Sequence, residues 1–161
     1  MLKTVGLLSM AAALMVGGCD DDDETGPDPE VYTATLNGAN ETPPVTTPAT
    51  GTATFTVNGN QVAYTVTISS WPANTTVSGA HIHFAPVPPA TTGTVLLGFP
   101  TTGQGAITPT GGSGTIAISD AQLTSVRAGG TYFNVHAVPT TGTTGGVNQP
   151  GGLIRGNLVE Q

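Results

Sequence analysis

Apolar side chains alternate with polar ones along most of this chain. Ala53, Phe55 and Val57 are separated by threonines, and residues 62 to 68 repeat the pattern with Val, Tyr, Val and Ile. Because successive side chains of a strand point to opposite faces, a period of two predicts strands with one buried face. Asn58-Gly59-Asn60 separates the two runs and is typical of a hairpin turn. These two segments therefore predict a β-hairpin.

Further strand-like runs follow, each bounded by Gly, Pro, Asn or Thr. They are a run ending at Leu36 and residues 77 to 84, 94 to 99, 114 to 119, 131 to 138 and 153 to 159. Only Ser119 to Ala128 allows a helical turn, with Asp120 suited to cap it. Thr, Gly and Pro weaken helices elsewhere. The pattern predicts an all-β fold, an antiparallel, Greek-key-like β-sandwich or partly closed barrel of about eight strands.

The first residues have the pattern of an export signal. Lys3 is followed by an apolar stretch from Val5 to Val16 and by Gly17-Gly18. The stretch is shorter than the ~20 apolar residues that span a bilayer. Met15 to Cys19 resembles the lipobox of bacterial lipoproteins, in which the cysteine is lipidated. We expect a lipoprotein signal peptide over residues 1–18 and an exported protein anchored in the membrane of the cell envelope, inner or outer, through Cys19.

Cys19 is also the only cysteine in the chain, so the mature protein is expected to lack internal disulfides. An incidental cysteine in an ordinary cleaved signal is the alternative reading. Its mature protein would begin at an unlipidated residue downstream of Cys19.

Charge is distributed unevenly along the chain. The formal net charge is −7, but seven of the ten acidic residues lie between Asp20 and Glu30. This run has no apolar residue to bury, which predicts an acidic disordered tether over residues 19–30. The remaining segment, 31–161, is predicted to be a single β domain and carries three acids against two arginines. It has no basic cluster, so we do not expect it to bind nucleic acid.

The three histidines of the chain lie in two of the predicted strands. His81 and His83 share one face of the strand around Ile82, and His136 ends the run Tyr132 to His136. If these strands are neighbours, the three rings converge. Neutral imidazoles are good ligands for Cu or Zn, and a fourth position would remain for water. The sequence therefore offers a candidate metal site at His81, His83 and His136.

Two other interpretations of the same residues remain open. Glu41, Asn134 and Arg155 are conspicuous in a domain with few charges, and with the histidines they could form a polar network near the site that fixes loop geometry. The histidines and Arg155 could also recognise an anion or a partner. A catalytic role is not expected, because no nucleophile motif singles out one of the many Ser and Thr residues.

Several short motifs occur in the order found in CHRD domains, first named from chordin. They are residues 40 to 45 (NETPPV), 49 to 53 (ATGTA), 80 to 83 (AHIH), 132 to 136 (YFNVH) and 154 to 158 (IRGNL). The chain resembles this family from Val31 to Gln161. The resemblance implies an extracytoplasmic all-β domain that is common in bacterial lipoproteins, and it implies no settled activity. We expect a binding or interaction module with a protein or small-ligand partner, and as the alternative a Cu- or Zn-binding domain.

Overall fold

The computed structural model describes residues 28–85 and 92–161. The predicted signal peptide, the lipidation site Cys19 and most of the predicted tether lie outside the described residues. Within the described ranges, no helix combines the length and the apolar character that crossing a bilayer requires.

Most of the regular secondary structure in the described chain is strand. They are β1 (Glu30–Asn37), β2 (Thr50–Asn58), β3 (Gln61–Ser69), β4 (Thr75–Phe84), β5 (Thr94–Gly98), β6 (Gly111–Ala117), β7 (Thr131–Pro139), β8 (Gln149–Asn157) and β9 (Val159–Glu160). A 3-10 helix (Gly38–Asn40) follows β1, and one α-helix, α1 (Asp120–Arg127), lies between β6 and β7. The predicted all-β class is confirmed.

All the strand pairs are antiparallel and belong to one sheet. Its order is β5-β4-β7-β8-β1-β2-β3-β6, and β9 also pairs with β1. Asn58 pairs with Gln61 across a two-residue turn, which confirms the predicted hairpin of β2 and β3. One continuous, curled sheet corresponds to the partly closed barrel, the second of the two predicted architectures.

Three phenylalanines show how far the sheet curls. Phe55 on β2 and Phe133 on β7 have ring centroids 5.2 Å apart, although two strands separate β2 from β7 in the sheet. Phe99, just after β5, lies 5.5 Å from Phe55 and 5.4 Å from Phe133. Rings at these separations interlock and add to the gain from burial. The inner face of the curled sheet therefore packs against itself to form the core, and the outer face points away from the core.

The helix cap lies one residue earlier than the predicted cap. The Ser119 hydroxyl accepts a hydrogen bond from the Gln122 backbone N–H, and the Gln122 side chain accepts one from the Ser119 backbone N–H. This reciprocal pair is a capping box. Asp120, the predicted cap, is instead the first helical residue, and its carboxylate accepts a hydrogen bond from Asn60. Ser119 is the cap because its backbone is extended, as a cap requires.

Candidate functional site

The pairing of β4 with β7 places the three histidines on one face of the sheet. Residues directly opposite each other in an antiparallel pair share a face. Three such pairs line this face: Gly79 with His136, His81 with Asn134, and His83 with Tyr132. The intervening pairs, Ala80 with Val135 and Ile82 with Phe133, belong to the buried core. The histidines therefore occupy the outer face of the curled sheet.

The three imidazole rings form a close group. The ring centroids of His81 and His136 are 4.9 Å apart, and that of His83 lies 5.7 Å from His81 and 6.1 Å from His136. One nitrogen of each ring can be chosen so that all three lie within 4.8 Å of one another. The strand pairing thus brings the predicted ligands together.

Backbone carbonyls determine which nitrogen carries the proton in two of the rings. His83 Nδ1 lies 3.0 Å from the Gly93 carbonyl oxygen, and His136 Nδ1 lies 2.7 Å from that of Pro150. A carbonyl only accepts hydrogen bonds, so each Nδ1 is the protonated nitrogen. Each Nε2 consequently carries a lone pair. Ligating histidines commonly have such a carbonyl partner behind them.

The free lone pairs of the cluster have different surroundings. His136 Nε2 lies 3.1 Å from His81 Nδ1, which must donate the shared proton because His136 Nε2 has none. His83 Nε2 is buried and has no hydrogen-bond partner within the described ranges. A buried polar atom that is left unpaired costs about 1 to 3 kcal/mol. Such an atom is expected where a ligand completes a site.

Electrostatics keeps all three rings neutral near pH 7. Burial lowers the pKa of His81, and the neighbouring histidines lower it further. Burial also lowers the pKa of His83, with the charge of Arg155 adding to the effect. For His136 burial again lowers the pKa, although the Pro150 carbonyl opposes the shift. Neutral imidazoles do not have to lose a proton before they bind a metal.

Glycines on two strands make room for the His81 ring. A Cβ atom added to Gly79 would lie 2.8 Å from His81 Cε1 and 3.4 Å from His136 Cδ2. A Cβ atom added to Gly98, which faces His81 on β5, would lie 3.7 Å from His81 Cδ2. The first distance is a clash and the last is an ordinary contact. Gly79 therefore sets how closely His81 approaches His136.

Tyr132 connects the histidines to Arg155. The His83 and Tyr132 rings are parallel within 1°, with centroids 4.9 Å apart. The Arg155 guanidinium carbon lies 3.3 Å from the centroid of the same tyrosine ring, which is a cation–π contact. His83 and Arg155 come from β4 and β8, the strands on either side of β7. The Tyr132 hydroxyl accepts a hydrogen bond from the Gly93 backbone N–H, so the histidine-bearing strand, the loop before β5 and Arg155 are held together.

Glu41 lies beside this face, just after the 3-10 helix. It is 6% exposed, and its two carboxylate oxygens accept hydrogen bonds of 3.2 and 3.1 Å from the Asn134 amide. Burial raises the pKa of Glu41 to about 7, against the opposing effects of Arg155 and Asn134. A Cβ atom at Gly152 would lie 2.5 Å from Glu41 Oε1. Glu41 is thus hydrogen-bonded to Asn134 and close enough to Arg155 for their charges to interact.

The sequence predicted the three histidines as candidate ligands but missed the residues and carbonyls that orient their rings. Tyr132 was identified only within a motif, although its spacing of four from His136 already placed both on one face of β7. Gly79 lies two residues before His81 on β4, a spacing that likewise places both residues on one face. The carbonyls of Gly93 and Pro150 have no signal in the sequence, because any residue supplies a carbonyl.

The arrangement of the three histidines could hold a metal ion or a polar ligand. Comparisons with known proteins indicate the family of the chain. The family model of the CHRD domain matches residues 32–158. Neither the curated proteins nor the solved structures gave a match. The family match covers most of β1 and all of β2 to β8, and it includes the three histidines, Glu41 and Arg155.

Proposed function

The chain belongs to the CHRD domain family, and from this premise we propose that it is a binding module of the cell envelope whose ligand is a Zn or Cu ion. The metal would be held by His81, His83 and His136. The domain would be exported and attached to the membrane through a lipid on Cys19, with residues 19–30 as the tether. We propose a binding role and no catalysis.

One observation carries the metal proposal: the lone pair on His83 Nε2 is buried and unpartnered in the described structure, beside two more imidazoles. A histidine in a purely structural network would use both ring nitrogens. The Nδ1 atoms of His83 and His136 are already held by carbonyls, so both rings present Nε2 to the cluster. This is the orientation that a metal requires of its ligands.

The distances are close to those of a metal site. Zn–N bonds are about 2.0 to 2.1 Å long, so nitrogens 3.1 Å apart would subtend an angle of about 100° at the metal. The metal would thus replace the proton between His81 Nδ1 and His136 Nε2, and the His81 proton would move to Nε2. Nitrogens bound to one tetrahedral zinc lie about 3.3 Å apart, so a pair separated by 4.8 Å must close by about 1.5 Å around the ion.

The interaction module without a metal is the second candidate. The contacts among Glu41, Asn134, Tyr132 and Arg155 support it, because a buried polar network of this kind also fixes the loops that a partner would meet. In this case the histidines would serve the network alone.

The direct test is a Zn²⁺ and Cu²⁺ titration of the full chain, purified in detergent without chelators. The protein contains only three histidines, so every imidazole signal in an NMR spectrum belongs to the site. We expect one bound ion per chain with sub-micromolar affinity, and ¹⁵N shifts that assign Nδ1 of His81 and Nε2 of His83 and His136 as ligands. Unchanged imidazole signals at these metal concentrations would refute the metal site and leave the network.

Two variants separate specific binding from loss of folding. His136→Gln removes a ligand and should weaken binding at least tenfold. Val138→Thr, two residues further along the same face of β7, changes side-chain polarity at nearly constant shape and should bind as the wild type does. Equal affinity of His136→Gln and the wild type would contradict the assigned ligand set.

The anchor has its own test. Mass spectrometry of the mature N-terminus should find a lipidated Cys19, and Cys19→Ala should release the protein from the membrane fraction. An unlipidated N-terminus downstream of Cys19 would refute the anchor without affecting the metal site.

A further inference from the structure

The number of ligands that the chain supplies limits what the metal can do. In the described part of the chain, the group of close ligand atoms contains three residues, all of them histidines. Structural zinc sites are closed by four protein ligands, whereas sites with three protein ligands keep a position for water or substrate. Glu41, the buried carboxylate nearby, is bonded to Asn134 and is not a member of the group. The set therefore resembles an open site.

Solvent reaches the cluster from one side. His83 is buried at 9% exposure, and its Nε2 is fully covered. His81 and His136 are only half-buried. An ion bound among the three would therefore be covered on the His83 side and accessible from the side of His81 and His136.

The charges around the cluster favour an anion at the accessible position. Three neutral imidazoles leave the full charge of a divalent ion uncompensated. Arg155 adds a positive charge, since its guanidinium carbon lies 3.3 Å from the centroid of the Tyr132 ring that stacks on His83. Glu41 carries the opposing charge, but burial raises its pKa to about 7, so this charge is only partly developed at neutral pH. With a divalent ion bound, the cluster therefore carries a net positive charge.

We infer, on the basis of the proposed function, that the bound metal keeps one coordination position open and that this position takes a small monodentate anion from outside the chain. The step is a ligand exchange: the anion donates a lone pair to the metal, and the water that occupied the position leaves. No electron is transferred, and no covalent bond within the anion breaks. The domain would thus sense or hold an anion through its metal.

The test uses azide as the probe on the copper-loaded full chain. Azide bound to Cu²⁺ produces a charge-transfer absorption, so a saturable new band that is absent from the metal-free protein is expected. A copper-loaded spectrum that saturating azide leaves unchanged would overturn the inference while the proposed function stands. Failure to take up copper or zinc at all would overturn both.

Two variants test the contribution of charge. Arg155→Gln should weaken azide binding about three- to tenfold, which is the effect of one unit charge acting over ~8 to 10 Å at effective dielectric constants of ~30 to 60. Glu41→Gln keeps the shape of the side chain and should strengthen azide binding. Arg155→Lys, which keeps the charge, is the control and should retain most of the affinity. Azide affinities that are equal in the wild type and Glu41→Gln would overturn the preference for an anion.

Discussion

Replacing Gly79 by alanine should damage the metal site without unfolding the domain. The added Cβ atom would lie 2.8 Å from His81 Cε1, whereas carbon atoms in contact are about 3.5 to 4.0 Å apart. The His81 ring must therefore withdraw by about 0.7 Å or more. His136, at 3.4 Å from the same Cβ atom, limits the directions in which the ring can move.

The size of the effect follows from the tolerance of metal bonds. Metal–ligand distances are held to about ±0.2 Å, so a shift of 0.7 Å removes His81 from bonding distance unless the strand also moves. We expect zinc affinity to fall about 10- to 100-fold, as it does when groups that orient a ligand are changed. Folding should not suffer in the same way, because alanine in a strand is favoured over glycine by about 0.5 to 1 kcal/mol.

Gly98→Ala is the matched control. Gly98 faces His81 from the other neighbouring strand, but its added Cβ atom would lie 3.7 Å from His81 Cδ2, in ordinary contact. Competition with a chromophoric zinc chelator would give the affinities of both variants and the wild type, and chemical denaturation would give their free energies of unfolding. Wild-type affinity in Gly79→Ala, or an equal loss in Gly98→Ala, would refute the proposed dependence on the position of His81.

Three further outcomes are expected from the charges and the caps. The pKa values of the three histidines are lowered in the fold, so their contribution to folding stability is complete above about pH 6.5 and is lost as the pH falls below it. The pKa of Glu41 is raised, so the contribution of Glu41 to folding stability is lost as the pH rises from about 4.5 to 7. In thermal melts Glu41→Gln should therefore gain stability relative to the wild type at pH 8 and not at pH 4, and the opposite order would contradict the assignment. Arg155→Lys should lose about 1 to 2 kcal/mol by urea denaturation, because lysine cannot stack its charge on Tyr132 in the same planar way. Arg127→Lys is the control, since its pair with Glu30 is exposed and weakened by solvent, and equal losses would contradict the stacking argument. Ser119→Ala should cost about 1 kcal/mol in the same assay by removing the helix cap, and an unchanged midpoint would show that the capping box is not stabilising.

The strands were predictable wherever side chains alternate, and their ends were not. Residues 62 to 68 fill β3 (Gln61–Ser69) almost completely. β6 begins at Gly111, before the predicted residue 114, because its first residues are glycines with no alternation to detect. β8 begins at Gln149 rather than 153, because Gln149 to Gly152 shows no apolar alternation either. The predicted end at 159 belongs to the separate strand β9. Backbone pairing in these segments is imposed by neighbouring strands.

The candidate site was predictable in its residue types and not in its geometry. The alternation around Ile82 placed His81 and His83 on one face without further information. Their approach to His136 depends on the pairing of β4 with β7, strands that lie about 50 residues apart in the chain, and on a register in which Gly79 faces His136. The position of Glu41 depends on the 3-10 helix after β1, whose three residues carry no periodic signal.

The pairing of β1 with the last strands also determines how late in synthesis or export the sheet can finish folding. β1 lies in the interior of the sheet, where it pairs with β2 and also with β8 and β9. Contacts such as that between Thr33 and Gln161 join residues separated by 128 positions. A chain that is released from one end, by a ribosome or a membrane pore, can form the β1–β3 meander early, but one edge of β1 stays open until the final strands arrive. Contacts this distant slow folding, so we expect the histidine cluster on β4 and β7 to become rigid only when β8 has been inserted between β7 and β1.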